Sequence, residues 1–170
     1  MGVISESVHV HSLDENCQPS KITRHLADEG ATDAFGATLA KVLKPGLMVT
    51  LSGDLGAGKT ALVRAMLRAL GYQGKVKSPT YALVESYVIS GLYLYHFDFY
   101  RFNDPDEWHE AGFREYFNEN SVCLVEWPEK AGGLLPPPDL RISLDIRESG
   151  RDVTLEAGSE KGRLCLQALE

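Results

Sequence analysis

The sequence predicts an α/β fold around a mixed, mostly parallel β-sheet, and three observations carry that prediction. The apolar run "LMVTLSG" (47–53) passes through a glycine-rich stretch straight into a strongly amphipathic segment, "TALVRAMLRALG" (60–71). Two pairs of β-branched and aromatic runs follow, each pair joined by a turn signal. Between them stands "SVCLVEWPE" (121–129), a buried strand by its apolar content. Strands that alternate with helical segments point to an α/β sheet, and the two hairpins mean that it is not parallel throughout.

Taken in order, residues 1–22 hold no sustained period and read as a loosely ordered N-terminal extension, which leaves 23–170 as a single domain. In 31–43, Ala31, Phe35, Leu39 and Val42 share one helical face, with Thr32 as a candidate cap. Pro45-Gly46 is a turn before the first strand. Leu62, Met66, Leu67 and Leu70 form the stripe of the helix over 60–71, and Gly71 suits its end. Strands are expected at 80–89 and 91–100, with a Ser-Gly turn between. One or two short helices begin at Asp104-Pro105. "GGLLPPPD" (132–139) is a stiff loop, and the alternating runs "LRISLDI" and "RDVTLEA" flank the turn "RESG" (147–150).

Bulk composition sets limits. The 170 residues suit one domain, and 44% apolar content suffices for a core. No run approaches the ~18 apolar residues of a membrane span, and the N-terminus lacks the pattern of a secretion signal. Cys17, Cys123 and Cys165 are odd in number and widely spaced, which predicts neither a zinc site nor a disulfide framework and fits a reducing cytoplasm. Cys123 reads as a buried thiol. A net charge of −7 argues against direct, non-specific binding of nucleic acid.

The glycine-rich stretch "GDLGAGKT" (53–60) fits G-x-x-x-x-G-K-[ST], and its context is the required one, a strand before and a helix after. Gly53, Gly56 and Gly58 let the backbone of Asp54, Leu55, Gly56, Ala57 and Gly58 turn its N–H groups toward an anion. The helix that follows adds its own free N–H groups. Lys59 is placed for β- and γ-phosphates and the Thr60 hydroxyl for Mg²⁺. The Asp54 side chain is expected to point away from a polyphosphate. The plainer alternative is a flexible turn with an incidental lysine. The loop makes the predicted fold a P-loop NTPase-like, three-layer one.

A nucleotide-hydrolysing site of this kind needs an acid at a strand end. Asp98 follows "LYLYHF" and Glu126 follows "VCLV", where α/β sheets place their ligands. Each also reads as a strand simply ending in solvent. Ser78 and Thr80 in "VKSPTY" (76–81) are either γ-phosphate sensors or part of an ordinary turn. His96 reads as a half-buried core residue rather than a base. Trp127 closes over the site or a partner, or belongs to the core. Arg101 is a phosphate or partner contact, or a surface residue. An Asn/Thr-Lys-x-Asp guanine loop is missing, which favours ATP.

Together, "GDLGAGKT", "VKSPTYALVESY", "YHFDFYRFNDPDEW" and "CLVEWPEKAGGLLP", in this order, closely resemble the TsaE (YjeE) family of small bacterial ATPases of tRNA threonylcarbamoyladenosine synthesis. The similarity spans about residue 24 to about 157. It implies a P-loop fold that binds ATP and Mg²⁺ and releases ADP. It also implies action with the partner proteins TsaB and TsaD, of which TsaD modifies tRNA adenosine 37, so that tRNA is met only indirectly. By the same resemblance Thr60, Asp98 and Glu126 bind the metal. Asp98, Glu126, Lys59 and Thr80 serve hydrolysis, and the base is met near Glu29 and Arg151. Ala61 departs from the second threonine of many relatives. The resemblance leaves a cytoplasmic protein, monomeric or weakly associating when free. The rival readings are a P-loop small-molecule kinase, against which the acidic 101–117 segment counts, and a non-hydrolysing ATP-binding scaffold.

Overall fold

The computed structural model describes residues 20–170, so all of the expected extension but residues 20–22 lies outside the described residues, Cys17 included. Lys21 and Ile22 of that stretch belong instead to the first strand, β1 (Lys21–Leu26). It runs antiparallel to β7 (Arg151–Ala157), with Ile22 opposite Leu155 and Leu26 opposite Arg151. Ile22 and Leu26 turn into the core, which fixes the strand's register.

Seven strands form one sheet in the order β1-β7-β6-β2-β5-β4-β3. β2 (Met48–Ser52) lies at its centre, parallel to β5 (Ser121–Glu126) on one side and β6 (Leu140–Ile146) on the other. β4 (Leu92–Asp98) extends the parallel set beside β5. The hairpins β3 (Val84–Ile89)–β4 and β6–β7 supply antiparallel pairings at the flanks. The sheet is thus parallel at its heart and antiparallel at its margins.

Both faces are covered, as expected for a central parallel sheet. Alternate residues divide between two cores: Val49, Leu51, Val122 and Leu124 face an aliphatic one, while Met48, Cys123 and Val125 face an aromatic one. Helices α1 (Glu29–Ala40), α2 (Lys59–Ala69) and α5 (Glu160–Ala168) cover the aliphatic face. The aromatic face is built from Phe97, Phe99, Phe102, Trp108 and Phe113 under α3 (Pro105–Glu110), the 3₁₀ turn Phe113–Tyr116 and α4 (Pro128–Ala131). Edge-on contacts such as Phe97–Phe113, with ring centroids 5.7 Å apart, hold it together. Cys123 is buried there, which pushes its thiol up to about 12.

Two expectations are corrected and one element is added. α1 starts at Glu29, because the Asp28 carboxylate rather than Thr32 caps it, accepting from the Ala31 N–H at 2.8 Å. β3 starts at Val84 rather than Thr80: the Leu83 N–H bonds back to the Pro79 carbonyl at 2.7 Å, and Leu83 sits at φ 68°, closing a turn. α5 has no counterpart among the expected elements. No helix among the described residues is long and apolar enough to cross a membrane.

Candidate functional site

The loop between β2 and α2 is strung over three glycines at positive φ: Gly53 at 149°, Gly56 at 79° and Gly58 at 105°. At Gly58 the demand is also steric, since a Cβ would lie 1.5 Å from Arg151 Nη1. Arg151, at the start of β7, donates from that nitrogen to the Ala57 carbonyl at 2.9 Å, and so ties the sheet to the loop. Inside the loop the Ala57 N–H bonds to the Asp54 carbonyl at 3.0 Å. Asp54 is exposed and outside the lining of the adjoining cavity.

Lys59 opens α2 and is only 5% exposed. Its ammonium donates to the carbonyls of Gly53 and, at 3.0 Å, Asp54, and stands 4.2 Å from the centroid of the Trp127 ring. Burial lowers its pKa, against the opposing pull of Glu126, Asp98, Glu129 and Asp54. Trp127 itself is held at φ 55°, a conformation unusual for a bulky residue, and its ring lies 4.9 Å from that of Tyr100.

Two carboxylates meet this loop. Parallel pairing sets Asp98, at the end of β4, opposite Glu126, at the end of β5. Both are buried, at 4% and 2% exposure. The Thr60 hydroxyl lies 3.0 Å from each oxygen of Glu126 and donates to that carboxylate. His96 Nε2 approaches Glu126 Oε2 at 2.5 Å. Asp98 has different partners. Ser78 Oγ donates to its Oδ2, the Tyr100 N–H donates to its Oδ1 at 2.8 Å, and Thr80 Oγ1 reaches Ser78 Oγ at 3.4 Å.

These groups line one cavity of about 370 Å³, and it gathers most of the residues the sequence singles out: Leu55, Gly56, Gly58, Lys59, Thr60, Thr80, Asp98, Glu126 and Arg151. Ser78 and Trp127 line it too, as do Ala61 and Tyr100. Asp54 and Ala57 contribute to the loop through their backbone. Glu29 is the exception, exposed in the first turn of α1 and outside the lining. His96 is fully buried rather than half-buried, and it is bonded to a site carboxylate. Arg101 lies on the surface with its guanidinium 5.1 Å from the Tyr81 ring.

The donor set suits a polyanion carried with a divalent cation. Two buried carboxylates face a single buried ammonium, so a cation would balance the excess charge. No group of three or more His, Cys, Asp or Glu side chains among the described residues forms a metal cluster. Mg²⁺ takes one or two carboxylates and draws its remaining ligands from phosphate and water, so the donors that would meet it here are the Asp98–Glu126 pair and the Thr60 hydroxyl.

Known proteins resemble this chain over most of its length. The family model described as "Threonylcarbamoyl adenosine biosynthesis protein TsaE" matches residues 26–153. The tRNA threonylcarbamoyladenosine biosynthesis protein TsaE of Haemophilus influenzae is 45% identical over 152 residues, 86% of this chain and 96% of that protein. Its namesake in Bacillus subtilis is 38% identical over 138 residues, 79% of this chain and 85% of that protein. The crystal structure of Bacillus subtilis YdiB superposes with a TM-score of 0.73 at 30% identity, covering 88% of this chain and 93% of that one. The chain therefore belongs to the family of threonylcarbamoyl adenosine biosynthesis proteins TsaE.

Proposed function

We propose that this protein is a Mg²⁺-dependent ATPase that serves threonylcarbamoyladenosine formation at tRNA adenosine 37 by acting on the TsaB–TsaD proteins, with tRNA met only through them. Membership of the TsaE family supports the pathway. The observation that carries the chemistry is the Thr60–Glu126 bond at the mouth of the glycine loop. A hydroxyl whose proton is held by a strand-end carboxylate keeps its lone pairs free for a cation, the arrangement P-loop hydrolases use.

In this reading the loop amides and Lys59 hold the phosphates. Thr60 and Glu126, with Asp98 beside them, would hold Mg²⁺, which neutralises charge on the phosphate oxygens when bound. Asp98 orients the attacking water, and the Thr80–Ser78–Asp98 chain of hydroxyls links that carboxylate to the turn that senses the γ-phosphate. Catalysis is then mostly positioning and charge neutralisation. Arg151 steadies the loop from the sheet side.

Leu55, on the cavity lining, is 63% exposed, and Tyr81, next in sequence to the lining residue Thr80, is 85% exposed. These apolar groups offer a landing for a partner that completes the site; hydrolysis by the protein alone would then be slow. The segment 101–117 argues against a kinase lid, because Trp108 and Phe113 anchor it in the aromatic core. ATP turnover by the full chain, measured with and without TsaB–TsaD, tests the reading. Expected are slow hydrolysis alone, stimulation by the partners, loss of nucleotide affinity in Lys59→Ala, and binding without hydrolysis in Asp98→Ala. Normal hydrolysis by Asp98→Ala, or no ATP binding by the unaltered chain, would overturn it.

A further inference from the structure

His96 is the one buried residue at this site whose ring is satisfied on one side only. Its Nε2 meets Glu126 Oε2 at 2.5 Å, while Nδ1 is the sole buried side-chain N or O atom without a hydrogen-bond partner among the described residues. A ring proton on Nδ1 would be stranded in the core. A bare Nδ1 lone pair strands no donor, and it leaves the proton on Nε2, where a carboxylate accepts it.

The placement follows from the sheet. His96 and Asp98 are two residues apart on β4 and so share a face, and β4 is in register with β5, His96 against Leu124 and Asp98 against Glu126. The imidazole therefore reaches diagonally to Glu126 from beneath the site. Glu126 is gripped from two directions, by Nε2 from the sheet and by the Thr60 hydroxyl from α2.

We propose that His96 is a positioning residue: its Nε2–H clamps the Glu126 carboxylate in the orientation that meets Thr60, so that the pair is preformed before nucleotide and metal arrive. The role rests on the ATPase reading above, but the ring's protonation pattern does not. Outer partners of this kind tune metal affinity by about 10–100-fold.

Two measurements test it. The first is a long-range ¹H–¹⁵N spectrum of the histidine rings in the nucleotide-free full chain, with His96→Gln used to assign the His96 signals. The proposal expects Nε2 protonated and Nδ1 bare; a proton on Nδ1 with Nε2 bare overturns it. The second is Mn²⁺ affinity in the presence of ADP, read by electron paramagnetic resonance. His96→Leu should weaken it about 10–100-fold with ADP affinity in EDTA preserved. His96→Gln, whose amide N–H falls near the place of Nε2–H, should recover most of that loss. A folded His96→Leu with unaltered Mn²⁺ affinity, or a His96→Gln no better than His96→Leu, overturns the clamp. Should His96→Leu fail to fold, the spectrum and the His96→Gln affinity still decide. If the unaltered chain bound no Mn²⁺ with ADP, the ATPase reading would fail while the ring spectrum kept its meaning.

Discussion

The ends of β4 and β5 carry the same kind of group in register, Asp98 and Glu126, yet the two are held in different ways. Glu126 is tied to rigid elements, α2 through Thr60 and the buried β4 histidine through Nε2. Asp98 is tied to the loop after α2 through Ser78, and to the backbone just beyond its own strand through Tyr100. Two carboxylates equal in burial and chemistry thus differ in what they can follow. One is bonded to the helix that follows the glycine loop, and the other to the turn at 76–83. Under the proposed function, the difference suits a division in which Glu126 holds the cation and Asp98 aligns water.

The sharpest break of this comparison is Asp98→Asn. We expect hydrolysis to fall by about 10²–10⁴-fold, the range for losing a positioned base, with ATP affinity little altered in a titration. Thr60→Val acts on the other end. It removes the hydroxyl that Glu126 holds and should raise the Mg²⁺ concentration needed for half-maximal nucleotide binding about 10–100-fold, equivalent to about 1.4–2.8 kcal/mol. Gly58→Ala strains the loop without touching either acid. Its Cβ meets Arg151, and its φ of 105° disfavours a side chain, so chemical denaturation should show a loss of about 1–3 kcal/mol alongside weaker nucleotide binding.

Ser78→Ala loosens only the Asp98 side. A net hydrogen bond of about 1 kcal/mol predicts roughly a fivefold drop in turnover, with Mg²⁺ dependence unaltered. The smallest effect concerns Lys59. Burial lowers its pKa below the ordinary lysine value of 10.5, so in that alkaline window the unfolded chain binds more protons than the folded one. By linkage the nucleotide-free protein gains stability as pH rises through the window. Lys59→Met should abolish that rise in a pH series of urea melts, while ATP ceases to protect the variant at any pH.

Much of this arrangement was legible in the chain. The glycine loop, β2, α2 and both hairpins follow from short-range patterns, and the strand-end acids follow from where apolar runs stop. What was not legible needed three-dimensional neighbours. α5 hides behind Gly162, which reads as a helix breaker; the structure shows why it is there, since a Cβ would lie 1.8 Å from the Asp139 carbonyl oxygen. β1 is short, and its alternation shows only once β7 fixes its register. The capping of α1 by Asp28 instead of Thr32 is a choice between two good caps that local sequence alone leaves open. The His96–Glu126 contact spans thirty residues and depends on the parallel register of β4 and β5, which no spacing rule supplies.

The division of labour between the two strand ends can be read most directly by titrating Mg²⁺ against single-turnover ATP hydrolysis in Glu126→Gln and Asp98→Asn side by side. If Glu126 holds the cation and Asp98 the water, high Mg²⁺ restores much of the rate to Glu126→Gln and none to Asp98→Asn. Recovery of Asp98→Asn by Mg²⁺, with Glu126→Gln unresponsive, would contradict that assignment.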